Sequence, residues 1–173
     1  MSTLKVNSII PVAGVPTGGG GGIVQIKQTF KTDGTSQAGN SSSVYYDISG
    51  MSVTITPTSS SSKILVNWVA QVNSNNTGRN NSIRLLRDST VIGNSTAGSS
   101  QNAQTDHRTI SDTNCHPFTM LFLDSPNTTS AVTYKLQWAI EGSGGNATGY
   151  YLNRDQYASQ GAVSHITAME VSA

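Results

Sequence analysis

Hydrophobic and polar residues alternate with a period of two in segment after segment of this chain. Successive side chains of a strand point to opposite faces, so the pattern predicts β-structure with one apolar face per strand. The clearest case is 132–141, where Val132, Tyr134, Leu136, Trp138 and Ile140 share one face and Thr133, Lys135, Gln137, Ala139 and Glu141 the other. Ile64, Val66, Trp68, Ala70 and Val72 form a second apolar face. Its reverse side, with Leu65 and Val69 beside Asn67 and Gln71, is also partly apolar, which predicts a central strand or one that contacts another subunit. Met51, Val53 and Ile55 predict a half-buried strand stopped by Pro57 and a turn at 59–62. Val24, Ile26 and Phe30 mark the first strand of the body. Phe118, Met120 and Phe122, with Leu121 and Leu123 opposite, mark another, ended by the turn sequence Asp124-Ser125-Pro126-Asn127. Residues 83–92 read as a hairpin through Arg87-Asp88-Ser89-Thr90, with Arg87 and Asp88 placed to pair across the turn, and 163–171 as a closing strand. Shorter strands are predicted at 44–48 and 150–152, and loops at 32–43, 74–81, 93–106 and 142–149.

Roughly eight to ten short strands with no helical stripe predict an all-β sandwich or barrel. Composition points the same way. Ser, Thr and Asn number 25, 20 and 14, whereas charged residues make up only 11% of the chain, so small hydroxyls and amides fill the solvent-facing positions. Such side chains compete for backbone hydrogen bonds and disfavour helix. The net charge of +1 is spread without a basic block, which excludes the electrostatic footprint of a nucleic-acid or anionic-membrane partner. Cys115 is the single cysteine, so no intrachain disulfide forms. With no secretory n-region and no window of membrane-spanning length, the expectation is a soluble protein made in the cytosol.

The first 22 residues stand apart from this pattern. Leu4, Val6, Ile9, Ile10 and Val12 make a short apolar-rich arm, and the glycine run 18–22 follows it. Consecutive glycines lose much backbone freedom if ordered and add nothing to a core, so they read as a joint. The expected division is a docking arm and linker at 1–22 and a single domain at 23–173. An apolar arm on a joint calls for something to dock onto, which makes the chain a component of a larger assembly.

Candidate chemistry is sparse. Asp106, His107, Asp112, Cys115 and His116 fall within eleven residues, but the paired ligand spacing of a zinc site is missing. The plainer reading is a polar loop leading into the 118–123 strand, with Cys115 as a small buried hydrophobe. The glycine run lacks the Gly-Lys-Ser/Thr and helix of a phosphate loop, and no nucleophile motif occurs. No catalytic, metal or cofactor site is expected, and the chain reads as non-enzymatic. Tyr150, Tyr151 and Tyr157, with Arg154 among them, could offer aromatic faces to a carbohydrate; the plainer and favoured reading is that alternate tyrosines pack inward or against another subunit. Glu170 in the closing strand reads either as buried at an interface or as solvent-facing.

The segments STLKVNSIIPV, GGGGGIVQIKQT, ISGMSVTITPTSSSSKILV, IRLLRDSTVIG, LDSPNTTSAVTYKLQW and SHITAMEVSA together resemble a class of small tailed-bacteriophage virion proteins, common in phages of cyanobacteria and other aquatic bacteria. The resemblance covers nearly the whole chain. It implies a jelly-roll-like antiparallel β-sandwich with an extended N-terminal arm, assembled as a homotrimer on the virion after synthesis in the bacterial cytoplasm. It also implies a tail-fibre or knob role, with the arm on other virion proteins and the far loops on the host surface, including its polysaccharide. At this length, with no repetitive shaft, a short tip, an adaptor or a capsid decoration protein is expected rather than a long fibre, and a carbohydrate-binding module is a further alternative.

Overall fold

A computed structural model describes residues 22–38, 44–74, 80–97, 103–108, 114–140, 149–159 and 161–172. Among them are no helix and eleven strands: β1 (Ile23–Lys31), β2 (Thr35–Gln37), β3 (Tyr46–Ile55), β4 (Lys63–Ser74), β5 (Asn80–Arg87), β6 (Thr90–Ile92), β7 (Thr105–Arg108), β8 (His116–Asp124), β9 (Val132–Ile140), β10 (Tyr150–Leu152) and β11 (Ser164–Val171). They form two antiparallel sheets. The first runs β1-β11-β4 with β8 on the other edge of β4, and β10 and β2 continue it beyond the end of β11. The second runs β3-β9-β5, and the far edge of β5 is shared by β6 and β7.

Taken in chain order, β1, β3, β4, β5, β7, β8, β9 and β11 are the principal strands of the sandwich. The first sheet then has the order first, eighth, third, sixth, and the second has second, seventh, fourth, fifth. That arrangement is a jelly roll. The all-β sandwich predicted by the strand pattern, in the jelly-roll form that the resemblance implies, is therefore the observed architecture.

The core lies between the sheets and is built from the predicted alternation. Ile64, Val66, Trp68, Ala70 and Val72 of β4 face Val132, Tyr134, Leu136 and Trp138 of β9, with Ile48, Met51, Val53 and Ile55 of β3 alongside. Each large apolar side chain buried in this way contributes about 1.5–3 kcal/mol. The predicted segments 44–48 and 51–55 are one strand, bent where the register slips between Asp47 and Ser52. Gly50 takes φ +79° in this bulge, and a Cβ there would lie 3.1 Å from Lys31 Nζ, so the bend needs glycine. The loops expected at 32–43 and 93–106 contain β2 and the start of β7, pairings too short to leave a periodic signature. The expected hairpin is present, with Arg87 opposite Thr90 and Asp88 at φ +53°.

Arg87 and Asp88 do not pair with each other. Arg87 Nη1 instead donates to both carboxylate oxygens of Asp124 at 2.9 Å, and Tyr134 Oη donates to Asp124 Oδ2 at 2.7 Å. This ties the end of β8 to β5 and β9 of the opposite sheet. Asp88 serves the turn, accepting from the Thr133 amide at 2.9 Å. Burial, then the Asp124 hydrogen bond, pushes the Tyr134 phenol up.

A second buried carboxylate sits in the same cross-strand row. Glu170 pairs with Ile64, which pairs with Asp124, and on its other side with Gln25. Of the two readings open for Glu170, the structure selects burial, inside the sandwich itself. Its side chain accepts from Gln25 Nε2, the Thr58 amide and Thr58 Oγ1, each at 2.7 Å. Burial alone would raise its carboxyl, but these hydrogen bonds and one from Ser62 outweigh that and hold it at about 2.

Near the other end, β10 and β11 share one edge of β4 but are separated by the 153–163 excursion. Asn153 closes the gap. Its amide donates to Gln71 O at 2.8 Å, its Nδ2 to Lys31 O at 2.9 Å and Asp33 O at 3.2 Å, and its Oδ1 accepts from Ser164 Oγ at 2.5 Å. Ser164 Oγ in turn accepts from the Gln71 amide at 2.9 Å. Gly22 and Ser172 meet at the Glu170 end, where the Ser172 amide donates to Gly22 O at 3.1 Å. The strand ends at Gln37, Tyr46, Ser74, Asn80, Arg108, His116, Ile140 and Tyr150 gather at the opposite end.

Two outcomes follow from these polar seals. Glu170 binds its proton more weakly folded than unfolded, so its contribution is complete above about pH 5 and disappears as pH falls through 4.5 towards 2. The ideal value for such a shift is about 3 kcal/mol, and screening by water at the sandwich margin reduces it to about 1–2 kcal/mol. Thermal unfolding from pH 7 to pH 2 is expected to show this loss, and Glu170→Gln to start less stable and flatten the profile. Asn153→Ala leaves the carbonyls of Lys31 and Asp33 without their donor and is expected to cost about 2–4 kcal/mol in urea unfolding.

Candidate functional site

The surface that distinguishes this domain is the outer face of the first sheet. Its inward rows run from polar at β1 to apolar at β4, and its outward rows do the reverse at the edges. Residues opposite one another in an antiparallel ladder share a face. One outward row is Ile26, Met169, Leu65 and Leu123, apolar across all four strands. The next is Gln28, Thr167, Asn67 and Leu121, and the third Phe30, His165, Val69 and Thr119. Ile26, Phe30, Leu121 and Leu123 are 56%, 57%, 58% and 54% exposed. Leu65, Val69 and Met169 between them are half-buried.

β1 shows how this came about. Its residues Val24, Ile26 and Phe30, which mark the strand in the sequence, are exposed. The positions turned towards the second sheet are polar, and Gln25, Thr29 and Lys31 each have a task at the sandwich margin. Gln25 Nε2 donates to Thr56 O at 2.7 Å, Thr29 Oγ1 to Ser52 O at 2.6 Å, and Lys31 pairs with Asp33 at 2.8 Å. The sheets are thus closed along this margin by hydrogen bonds to the backbone of the β3 segment, and the apolar half of β1 is left facing outward. The polar groups within the outer face are satisfied there: Gln28 Nε2 donates to Thr167 Oγ1 at 2.8 Å, and His165 Nε2 and Asn67 Oδ1 are 3.0 Å apart.

The outer face of the second sheet is of the opposite character. Thr54 and Thr133 hydroxyls meet at 2.8 Å, and Asp47 accepts from Lys135 Nζ at 2.8 Å and Gln137 Nε2 at 2.6 Å. The Lys135 hydrogen bond leads the interactions that hold the Asp47 carboxyl below its ordinary range. Arg84 donates to Gln137 Oε1 through Nε and Nη2 and lies 3.9 Å over the Tyr45 ring. This face is finished for water; the other is not.

The tyrosine cluster is divided by the fold. Tyr150 is 1% exposed and stacked on Trp138 with ring centroids 5.1 Å apart, so it is a core residue and offers no ring for stacking a sugar. Strand alternation sends Tyr151 to the other side, where Arg154 lies 5.0 Å over its ring. Tyr157 is 69% exposed on the 153–163 loop. That loop is stapled from within: the Ser159 amide donates to Asp155 Oδ1 at 2.8 Å, Ser159 Oγ donates to Asp155 Oδ2, and Arg154 bridges to Gly161.

Cys115 is half-buried, and burial, then the nearby Asp155 carboxylate, pushes its thiol up, away from a reactive thiolate. His116 begins β8 opposite Val72, and His107 lies in β7 opposite Asn81. Among the described residues no three His, Cys, Asp or Glu side chains converge as a metal would require. Asp112 and the arm residues Leu4, Val6, Ile9, Ile10 and Val12 lie outside the described residues.

Ile26, Phe30, Leu65, Val69, Leu121 and Leu123 enter the sequence analysis as strand residues and not as a shared surface, and Met169 is not named there. The signal for the leucines was there: the 118–123 strand is apolar on both sides, as is 64–72, and in the structure these two strands are neighbours.

No protein-family model matches the chain, and no curated protein sequence does. Among solved structures, the chain is similar to structures of infectious bursal disease virus. The VP2 subviral particle is 13% identical over 86% of this chain and 38% of that one, with a TM-score of 0.40. The Gt strain structure is 13% identical over 98% and 43%, with a TM-score of 0.44. The T13 viral particle is 14% identical over 94% and 41%, with a TM-score of 0.43. The chain spans about two fifths of the length of these viral chains.

Core and surface tyrosines separate cleanly in their consequences. Tyr150→Ala removes a buried ring stacked on Trp138 and is expected to cost about 3–5 kcal/mol, whereas Tyr157→Ala is expected to stay within about 0.5 kcal/mol of wild type. Denaturant midpoints of the two variants check the assignment.

Proposed function

We propose that this chain is a non-enzymatic structural protein of a bacteriophage virion, a short homotrimeric tail fibre or knob. Residues 1–22 hold it to the particle, and the opposite end of the sandwich meets the host surface. The observation that carries the reading is a complete jelly-roll core with one sheet face left bare and apolar, the mark of a domain built to be covered. The sequence segments that resemble small phage virion proteins supply the particle.

The polarity of the sandwich supports the orientation. The chain enters at Gly22, beside Ser172, so the segment bearing Leu4, Val6, Ile9, Ile10 and Val12 is joined at that end, away from the gathered strand ends. Burying those side chains in a partner contributes about 1.5–3 kcal/mol apiece, and three arms on one trimer add avidity. With Tyr150 inside the core, the aromatic surface offered to host polysaccharide narrows to Tyr151 with Arg154, and Tyr157.

A capsid decoration protein that stabilises the phage head would use the same core and bare face. Copy number separates the two, since a decoration protein is present in hundreds per particle and a tail component in a few dozen at most. Quantitative mass spectrometry of purified virions reads this directly. Deleting residues 1–22 is expected to leave a folded trimer that is lost from particles; incorporation at the wild-type level would overturn the docking role of the arm.

A further inference from the structure

We infer that Arg154 binds a carboxylate, and that the saccharide taken from the host surface is therefore a uronic-acid polymer. This rests on the host-surface role proposed above and names the chemistry of its ligand.

Arg154 differs from the other arginines whose side chains are described. Arg84 directs its N–H groups to Gln137, and Arg87 directs its own to Asp124. Arg154 has no carboxylate partner among the described residues. Two acidic residues adjoin it, and both are engaged elsewhere. Asp155 accepts from the Ser159 amide and hydroxyl, and Asp33, next to Gly34, pairs with Lys31. Arg154 thus presents a planar fork of N–H donors, the shape and charge that a carboxylate matches through two parallel hydrogen bonds.

The fork is held in place. Its central carbon lies 5.0 Å over the Tyr151 ring, where the cation is attracted by the ring face. The tip of that ring rests against Gly149, at which a Cβ would lie 3.0 Å from Tyr151 Oη. The Arg154 stem crosses Gly34, where a Cβ would lie 2.8 Å from Arg154 Cδ and 3.3 Å from Cγ, so glycine makes the room the stem occupies. An arginine positioned at both stem and head has less freedom to lose when it binds.

The same stacking selects against a neutral sugar. Such a sugar packs its C–H face on an open ring, and the Tyr151 ring carries Arg154 instead. What β10 presents is the guanidinium, with the exposed Ser36 opposite Tyr151 beside it. Tyr157, 69% exposed and within about 11 Å of Arg154 between Cα atoms, supplies an open ring for an adjoining sugar. The net charge of +1, without a basic block, adds no diffuse attraction, so a polyanion must be recognised at a point.

The test measures binding of the full chain at physiological ionic strength to immobilised polygalacturonate, alginate and hyaluronate, with neutral dextran and dextran sulfate alongside. At least one of the three uronate polymers is expected to bind at concentrations at which dextran and dextran sulfate do not. Arg154→Gln is expected to raise the dissociation constant at least about tenfold. Lys27→Gln removes the same charge from an exposed position on β1 and is expected to leave binding unchanged. Gly34→Ala keeps the guanidinium but displaces its stem, and is expected to weaken binding several-fold with the thermal transition preserved. Uronate binding that survives Arg154→Gln or Gly34→Ala at wild-type strength would overturn the assignment to Arg154. Equal binding to dextran, or a preference for dextran sulfate, would overturn the carboxylate while leaving the host-polysaccharide role standing. Binding to none of the five polymers would overturn both.

Discussion

The continuity of the first sheet depends on the backbone of Gln71. It lies in β4 between the reach of β11 and that of β10, where the ladder would otherwise leave a buried amide and carbonyl without partners. The Asn153 amide takes the carbonyl and Ser164 Oγ takes the amide, so two strands from either side of an eleven-residue excursion act as one. Asn153, at φ +60°, turns the chain out of the sheet at this point, and its side chain reaches the backbone of Lys31 and Asp33, aligning β1 with β2 in the same stroke. Because β4 is thereby bonded along its length on both edges, its inward side can carry Trp68 and the centre of the core while its outward side remains a flat, open surface.

The two outer faces differ in character. On the second sheet, carboxylate, guanidinium and amide groups are paired into a network suited to water. On the first, leucine, isoleucine and phenylalanine stand exposed, and the few polar groups are occupied with one another. Two buried carboxylates, Asp124 and Glu170, lie in one row at the end where Gly22 and Ser172 meet, and each ties its strand to the opposite sheet or to the turn between β3 and β4. They make the body rigid beneath the bare face. The result is a sandwich with one outer face closed by polar pairs and the other left apolar.

The alternation of β4, β8 and β9 was legible in the sequence because each strand buries one whole face, and periodicity survives in any such strand. The partly apolar reverse of 64–72 was legible for the same reason. Other features were hidden because they depend on neighbours far away in the chain. Arg87 sits beside Asp88, yet as the last residue of β5 it turns to Asp124, while Asp88 belongs to the turn and accepts from the Thr133 amide. Tyr150 and Tyr151 look alike in the sequence, and a one-residue step puts the first on Trp138 and the second under Arg154. Three-residue strands such as β2 and β10 are too short for any period to declare itself.

By itself, the sequence determined that the chain is all-β, where its longer strands lie, which side of most of them is apolar, and that the pattern of residues 1–22 differs from that of the body. Alternation is a local property, written into the order of residues by the geometry of the extended chain. Only the tertiary structure decided which way each strand faces. In β1 the pattern is intact but its direction is reversed, because Gln25 and Thr29 are needed against the β3 segment and Lys31 packs against its Gly50 bulge. Contacts with the β3 segment, 23 and 31 residues away along the chain, set that choice, and they leave the apolar side of an ordinary amphipathic strand exposed.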